Sequence, residues 1–163
     1  ISAFSEDPPS YDASGAAIDH TSVGALCFQT LIRRDMSVAV ALGKLALLWW
    51  SSTGDDFHVT AGCLGATPID PSRLSVQAQR RLVTLSRQIQ SEMMENVIYT
   101  KYAGKWMGNY DVKLVRHLTD QVDQLLLASL GLSEYWDDVE LAYARFMKMT
   151  GERPGTTREV PGF

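Results

Sequence analysis

The chain has 163 residues, with 15 Lys and Arg against 19 Asp and Glu, giving a formal net charge of -4 at pH 7 and a pI near 5.3. That length buries a real core without disulfides or metal, and the acidic balance excludes a protein that coats nucleic acid by bulk charge, so any DNA contact must be local. Two cysteines, Cys27 and Cys63, exclude a disulfide framework and, lying in apolar sequence, read as small buried hydrophobes in a reducing, cytoplasmic compartment.

Residues 1–22 carry Pro8-Pro9, Gly15 and many Ser and Asp without periodicity, which predicts an irregular N-terminal arm. The chain opens on Ile1 and shows no basic-then-apolar leader, so the expectation is a fragment or processed product with no secretory signal. Residues 23–103 are expected to form an α/β core with a long helix. Val23 to Ile32 reads as a strand. From Asp35 to Ser52, Met36, Val40, Leu45, Leu48 and Trp49 fit a helix that is apolar nearly all round, stopped by a hinge at Gly54. Its apolar run, Val38 to Trp50, is interrupted by Gly43 and Lys44 and is too short to span a bilayer, so no membrane partner is expected.

Asp56 to Ile69 alternates weakly and predicts one or two short strands. Asp70-Pro71 is a helix start, because Asp caps free amides and Pro at the first helical position loses nothing by lacking its own. The helix from Pro71 to Asn96 carries a seam of Leu74, Ala78, Leu82, Leu85, Ile89 and Met93, and Val97 to Ala103 reads as extended. Residues 104–150 are expected to form a turn followed by a helical hairpin, with Gly131 ending its first helix and Ser133 capping its second. Residues 151–163, with Pro154, Gly155, Pro161 and Gly162, predict a flexible tail. The fold class is α/β in the α+β sense: a helix-dominated chain with a small mixed sheet, a long helix and a C-terminal helical hairpin.

Candidate contact residues fall into three groups. Arg73, Arg80 and Arg87 recur every seven residues, so on a continuous helix they share a face with about 10.5 Å between neighbours. Such a face can track phosphates, or simply be solvated surface. Lys101, Tyr102, Lys105, Trp106, Asn109, Tyr110, Lys113, Arg116 and His117 form the most basic part of the chain, with Asp111 the one acid among four cations. Cations there can hold a phosphate backbone and aromatics can stack, while Asn109 and Tyr110 equally suit a structural turn. His58, beyond the Trp49-Trp50 helix end, can contact DNA or pack on backbone. The histidines and cysteines show no metal-ligand spacing, so no metal is expected.

Two runs carry a family resemblance. Gly54-Asp55-Asp56-Phe57-His58-Val59-Thr60, following an apolar helix that ends in tryptophan and preceding Thr67-Pro68-Ile69, is one. Gly104-Lys105-Trp106-Met107-Gly108-Asn109-Tyr110, with Arg116-His117-Leu118-Thr119-Asp120 and Leu130-Gly131-Leu132, is the other. Together they resemble the C-terminal target-recognition region of restriction-modification N6-adenine DNA methyltransferases, over roughly residues 18 to 148. Asp56 stands where that family commonly has glycine.

The resemblance implies a non-catalytic DNA-specificity segment with double-stranded DNA and an upstream methyltransferase domain as partners. S-adenosylmethionine is then expected for the parent and no cofactor for this segment. Asp7-Pro8-Pro9-Ser10-Tyr11 suggests the loop with which such enzymes hold a flipped base. Ser10, however, separates the aromatic from the second proline, and no Gly-rich turn suited to the cofactor accompanies it. A competing expectation is a protein-interaction module whose interface is the helical hairpin and the leucine seam.

Overall fold

A computed structural model describes residues 8–19, 26–54 and 61–150. It is a helix-dominated α+β fold with a small sheet, as expected, but among the described residues that sheet is not mixed: it is a two-stranded antiparallel hairpin.

The first helical region departs from its sequence pattern. In place of a strand running to Ile32, residues 26–30 are irregular and α1 (Leu31–Ala41) begins at once, because the Thr30 hydroxyl accepts from the Arg33 amide at 3.2 Å and caps it. The expected single helix over Asp35–Ser52 is two helices. α2 (Lys44–Thr53) leaves α1 at a bend of 71°. Gly43 makes the break: its backbone is extended, and a Cβ there would overlap the Asp123 carboxylate. Gly54 ends α2 with extended backbone, its amide donating to the Trp50 carbonyl at 2.7 Å. A Cβ at Gly54 would lie 2.9 Å from the Trp50 ring, so this glycine serves close approach and not a left-handed turn.

The described part of the region expected as short strands, residues 61–69, opens with a short helix, α3 (Ala61–Gly65). Asp70 does cap, accepting from the Ser72 amide at 3.0 Å, but what it starts is a 3-10 turn, Pro71–Arg73. The chain then extends through Leu74 and Ser75, and Ser75 caps α4 (Val76–Glu95) by accepting from the Ala78 amide. Leu82, Leu85, Ile89 and Met93 of α4 are buried against Met36, Ala39 and Val40 of α1 and Leu118, Val122 and Leu126 of α5 (Arg116–Ser129), and Ala78 of the same helix is buried too. Each fully buried Leu or Ile there contributes roughly 1.5–3 kcal/mol. The leucine seam is thus the core itself, which removes it as a docking face.

β1 (Ile98–Tyr102) and β2 (Lys105–Asn109) pair with Tyr102 opposite Lys105 and Lys101 opposite Trp106. Positive φ at Ala103 (49°) and Gly104 (79°) makes the two-residue turn whose twist matches paired strands. A strand therefore occupies what reads in sequence as a turn-rich crossing. The described part of the N-terminal arm is also tied down. Tyr11 exchanges two backbone hydrogen bonds with Trp106, at 2.7 and 2.8 Å, and the buried Ser10 hydroxyl accepts from the Gly108 amide at 2.9 Å.

α5 ends as expected at Gly131 (φ 72°), where the Leu132 amide reaches the Leu127 carbonyl and the Gly131 amide reaches the Ala128 carbonyl. Ser133 opens a 3-10 turn, Ser133–Tyr135, ahead of α6 (Trp136–Thr150) and does not cap that helix directly. α6 turns back along α5 but packs chiefly on α2, with Lys44 inserted between the two arms of the expected hairpin.

Candidate nucleic-acid interface

The hairpin and the segment after it hold most of the candidate contact residues. Alternation along the strands puts Thr100, Tyr102, Lys105, Met107 and Asn109 on one face, and Tyr99, Lys101 and Trp106 on the other. Lys101 stacks over Trp106, its Nζ 5.1 Å from the ring centroid, while Trp106 is half-buried and held through its backbone by Tyr11. Behind them the Tyr11 and Tyr99 rings meet at 6.1 Å, and burial, with the Tyr11 neighbour adding to it, raises the Tyr99 hydroxyl above its usual pKa. Lys105 is exposed. Asn109 is exposed too, but its amide donates to the Met107 carbonyl at 2.9 Å and the Thr100 hydroxyl at 3.2 Å, a staple across the hairpin. Tyr110 is half-buried against the core.

Lys113 points outward from the 3-10 turn Val112–Val115. Arg116 does not share its freedom. It donates to the Tyr143 hydroxyl at 2.6 Å and lies 4.6 Å over the Tyr143 ring, so this cation fastens α5 to α6. The three seven-spaced arginines are not one stripe either: Arg73 sits in the 3-10 turn before α4, and only Arg80 and Arg87 lie on the helix. Arg87 pairs with the buried Asp35 at 3.0 Å, which Arg34 also holds. His58 and the rest of residues 55–60 lie outside the described residues. Cys27 is exposed, contrary to its expected burial, because it belongs to the irregular lead into α1; the Cys63 side chain is outside the described set.

A second cluster has no counterpart in the sequence reading. Lys44 is 3% exposed, and its ammonium contacts Asp120 of α5 at 2.8 Å and Glu140 of α6, with the Trp136 and Tyr143 rings 5.0 and 5.2 Å away. Burial pulls the Lys44 pKa down, but hydrogen bonds and charge from Asp120 and Glu140 outweigh it and the net shift is upward. Beside it the buried Asp123 carboxylate accepts from the Lys44 amide at 2.7 Å and the Leu45 amide at 3.4 Å. Burial drives the Asp123 pKa up to about 6 against the pull of those amides. The sequence signals were present: a lysine inside an apolar run, and an aspartate three residues from Asp120 on the face that also buries Thr119 and Val122.

S-adenosylmethionine calls for a Gly-rich turn from strand into helix. Among the described residues the glycine next to a strand end is Gly104, and it makes a hairpin tip. Pro8-Pro9-Ser10-Tyr11 is likewise committed to packing on β2. No described helix alone is long and apolar enough to cross a membrane. No protein-family model, curated protein or solved structure matches the chain.

Proposed function

We propose that the chain is the DNA target-recognition segment of an S-adenosylmethionine-dependent N6-adenine DNA methyltransferase of a restriction-modification system, acting beside an upstream catalytic domain and non-catalytic by itself. The observation that carries this reading is the basic hairpin region. Residues 97–119 hold four Lys or Arg and one acid in a chain of net charge -4, and Lys101, Lys105 and Lys113 are all exposed. Lys105 and Arg116 lie in the Gly104–Tyr110 and Arg116–Asp120 runs that resemble the methyltransferase family, and Lys101 and Lys113 flank them, so local charge and motif support one assignment. Arg80 on α4 adds an exposed cation. Cations of this kind hold phosphates and carry little base information.

The test is the salt dependence of duplex binding. Alanine at Lys101, Lys105 and Lys113 together lowers the slope of log affinity against log salt by about 2–3, close to one for each phosphate no longer neutralised. An unchanged slope sinks the assignment. Arg116 stays out of the set because its removal would loosen α6.

A second reading, a protein-interaction module, rests on the α5–α6 connection, where Leu130, Leu132 and Tyr135 are exposed, and on Leu141, exposed on α6. It gains if those residues, mutated to Ser, abolish a self-association or partner complex while DNA binding is absent.

A further inference from the structure

We infer that the tip of the β1–β2 hairpin is a base-reading element that enters the DNA major groove, with Tyr102 and Lys105 as its reading residues. This rests on the DNA-binding assignment above and adds the element, the groove and the pair of reading residues.

Tyr102 is 76% exposed, the highest among the exposed large hydrophobics of the described residues. Neither its hydroxyl nor the Lys105 ammonium has a hydrogen-bond, ion-pair or ring partner among those residues, whereas Lys101, Tyr99 and Asn109 on the same hairpin are all engaged. Cross-strand aromatic pairs ordinarily pack against something. Here Tyr102 and Lys105 face each other in register and cover nothing. Beyond them the tip is built from the two smallest residue types, Ala103 and Gly104, with open space around Gly104.

The base of the hairpin is fixed while its end is free. Backbone bonds from Tyr11 to Trp106, the Ser10 bond to Gly108 and the Asn109 staple hold β2 from three sides, which is the preorganised support a reading element needs. Two strands of five residues make a ribbon about 17 Å long. The major groove, about 12 Å wide and 8.5 Å deep, admits a two-stranded ribbon as it stands, whereas the minor groove, about 6 Å wide, takes one only if the duplex is bent and the groove widened. Residues 97–110 include no carboxylate to repel phosphates. Lys105 can donate to the O6 and N7 acceptors of guanine, and the Tyr102 ring can cover a thymine methyl.

The experiment uses the full chain and a labelled duplex pool with a randomised centre, enriched by rounds of binding at low salt. Tyr102→Ala and Lys105→Ala are each expected to weaken binding to the enriched duplex about 5- to 50-fold, and methyl green, which fills the major groove, is expected to displace the protein where netropsin in the minor groove does not. Both residues are exposed, so an unchanged circular-dichroism melt confirms that the variants fold. If both variants bind like the parent while the Lys101, Lys105 and Lys113 triple variant is weakened, or if netropsin competes, the tip assignment is overturned and the DNA-binding assignment stands. If the parent chain binds no duplex at about 50 mM salt, both are overturned.

Discussion

The carboxylate of Asp123 accepts a hydrogen bond from the backbone amide of Lys44 at 2.7 Å, 79 residues earlier in the chain. It caps α2 from another helix, in place of a side chain preceding α2 in sequence, where Gly43 stands. The carboxylate fits because Gly43 has no Cβ to fill that space. Its folded pKa of about 6 lies above the unfolded value near 3.8. The native state therefore binds this proton more tightly, and the group's contribution to stability rises as pH falls from 7 through 6 toward 4. The gain between pH 7 and pH 5 is about 1 kcal/mol. Urea unfolding of the parent and of Asp123→Asn at both pH values measures it: the difference between the two proteins shifts in favour of the parent at pH 5, and a pH-independent difference refutes the raised pKa.

Replacing Lys44 by Met is expected to cost about 3 kcal/mol, since Asp120 and Glu140 are left facing each other without their shared cation. The cost is discounted from the fully buried case because Glu140 keeps access to water. Hydrogen exchange localises the effect: amides of α6 lose protection before those of α4, because residues 136–148 of α6 include none buried in the way that α4 contributes to the core. Equal deprotection of both helices would contradict the idea that Lys44 fastens α6.

Gly108→Ala separates the arm from the hairpin. The added Cβ would overlap the Pro9 carbonyl, a backbone atom that cannot rotate away. A destabilisation of about 1–3 kcal/mol is expected, together with faster proteolytic cleavage near Pro9 to Tyr11. An arm that stays resistant would show that its bridge to Trp106 is dispensable.

Lys113 and Arg116 look alike in sequence and are expected to behave oppositely. Lys113→Ala leaves stability within about 0.5 kcal/mol of the parent, because its side chain is exposed. Arg116→Ala costs about 1–2 kcal/mol, because it removes both the hydrogen bond to the Tyr143 hydroxyl and the stacking on its ring. Thermal melts of the two variants decide it, and equal melting temperatures would place Arg116 among the free cations.

The α4 seam, the Asp70 cap and the Gly131 stop are legible in the residue order and present in the fold, since each depends on residues within a few positions of one another. The helix-dominated class and the basic character of residues 97–119 are legible for the same reason. Other features arise only when distant elements meet. Gly43 and Lys44 visibly interrupt the apolar run from Val38 to Trp50, but nothing within the run tells that the distant Asp123 will claim the amides of Lys44 and Leu45 and split the helix there. Nor does spacing reveal that Arg87 is held by Asp35 and Arg116 by Tyr143, while Lys105 is left outward. A cation's fate depends on which carboxylate or ring the packing of distant helices brings to it, and periodicity along one helix carries no information about that.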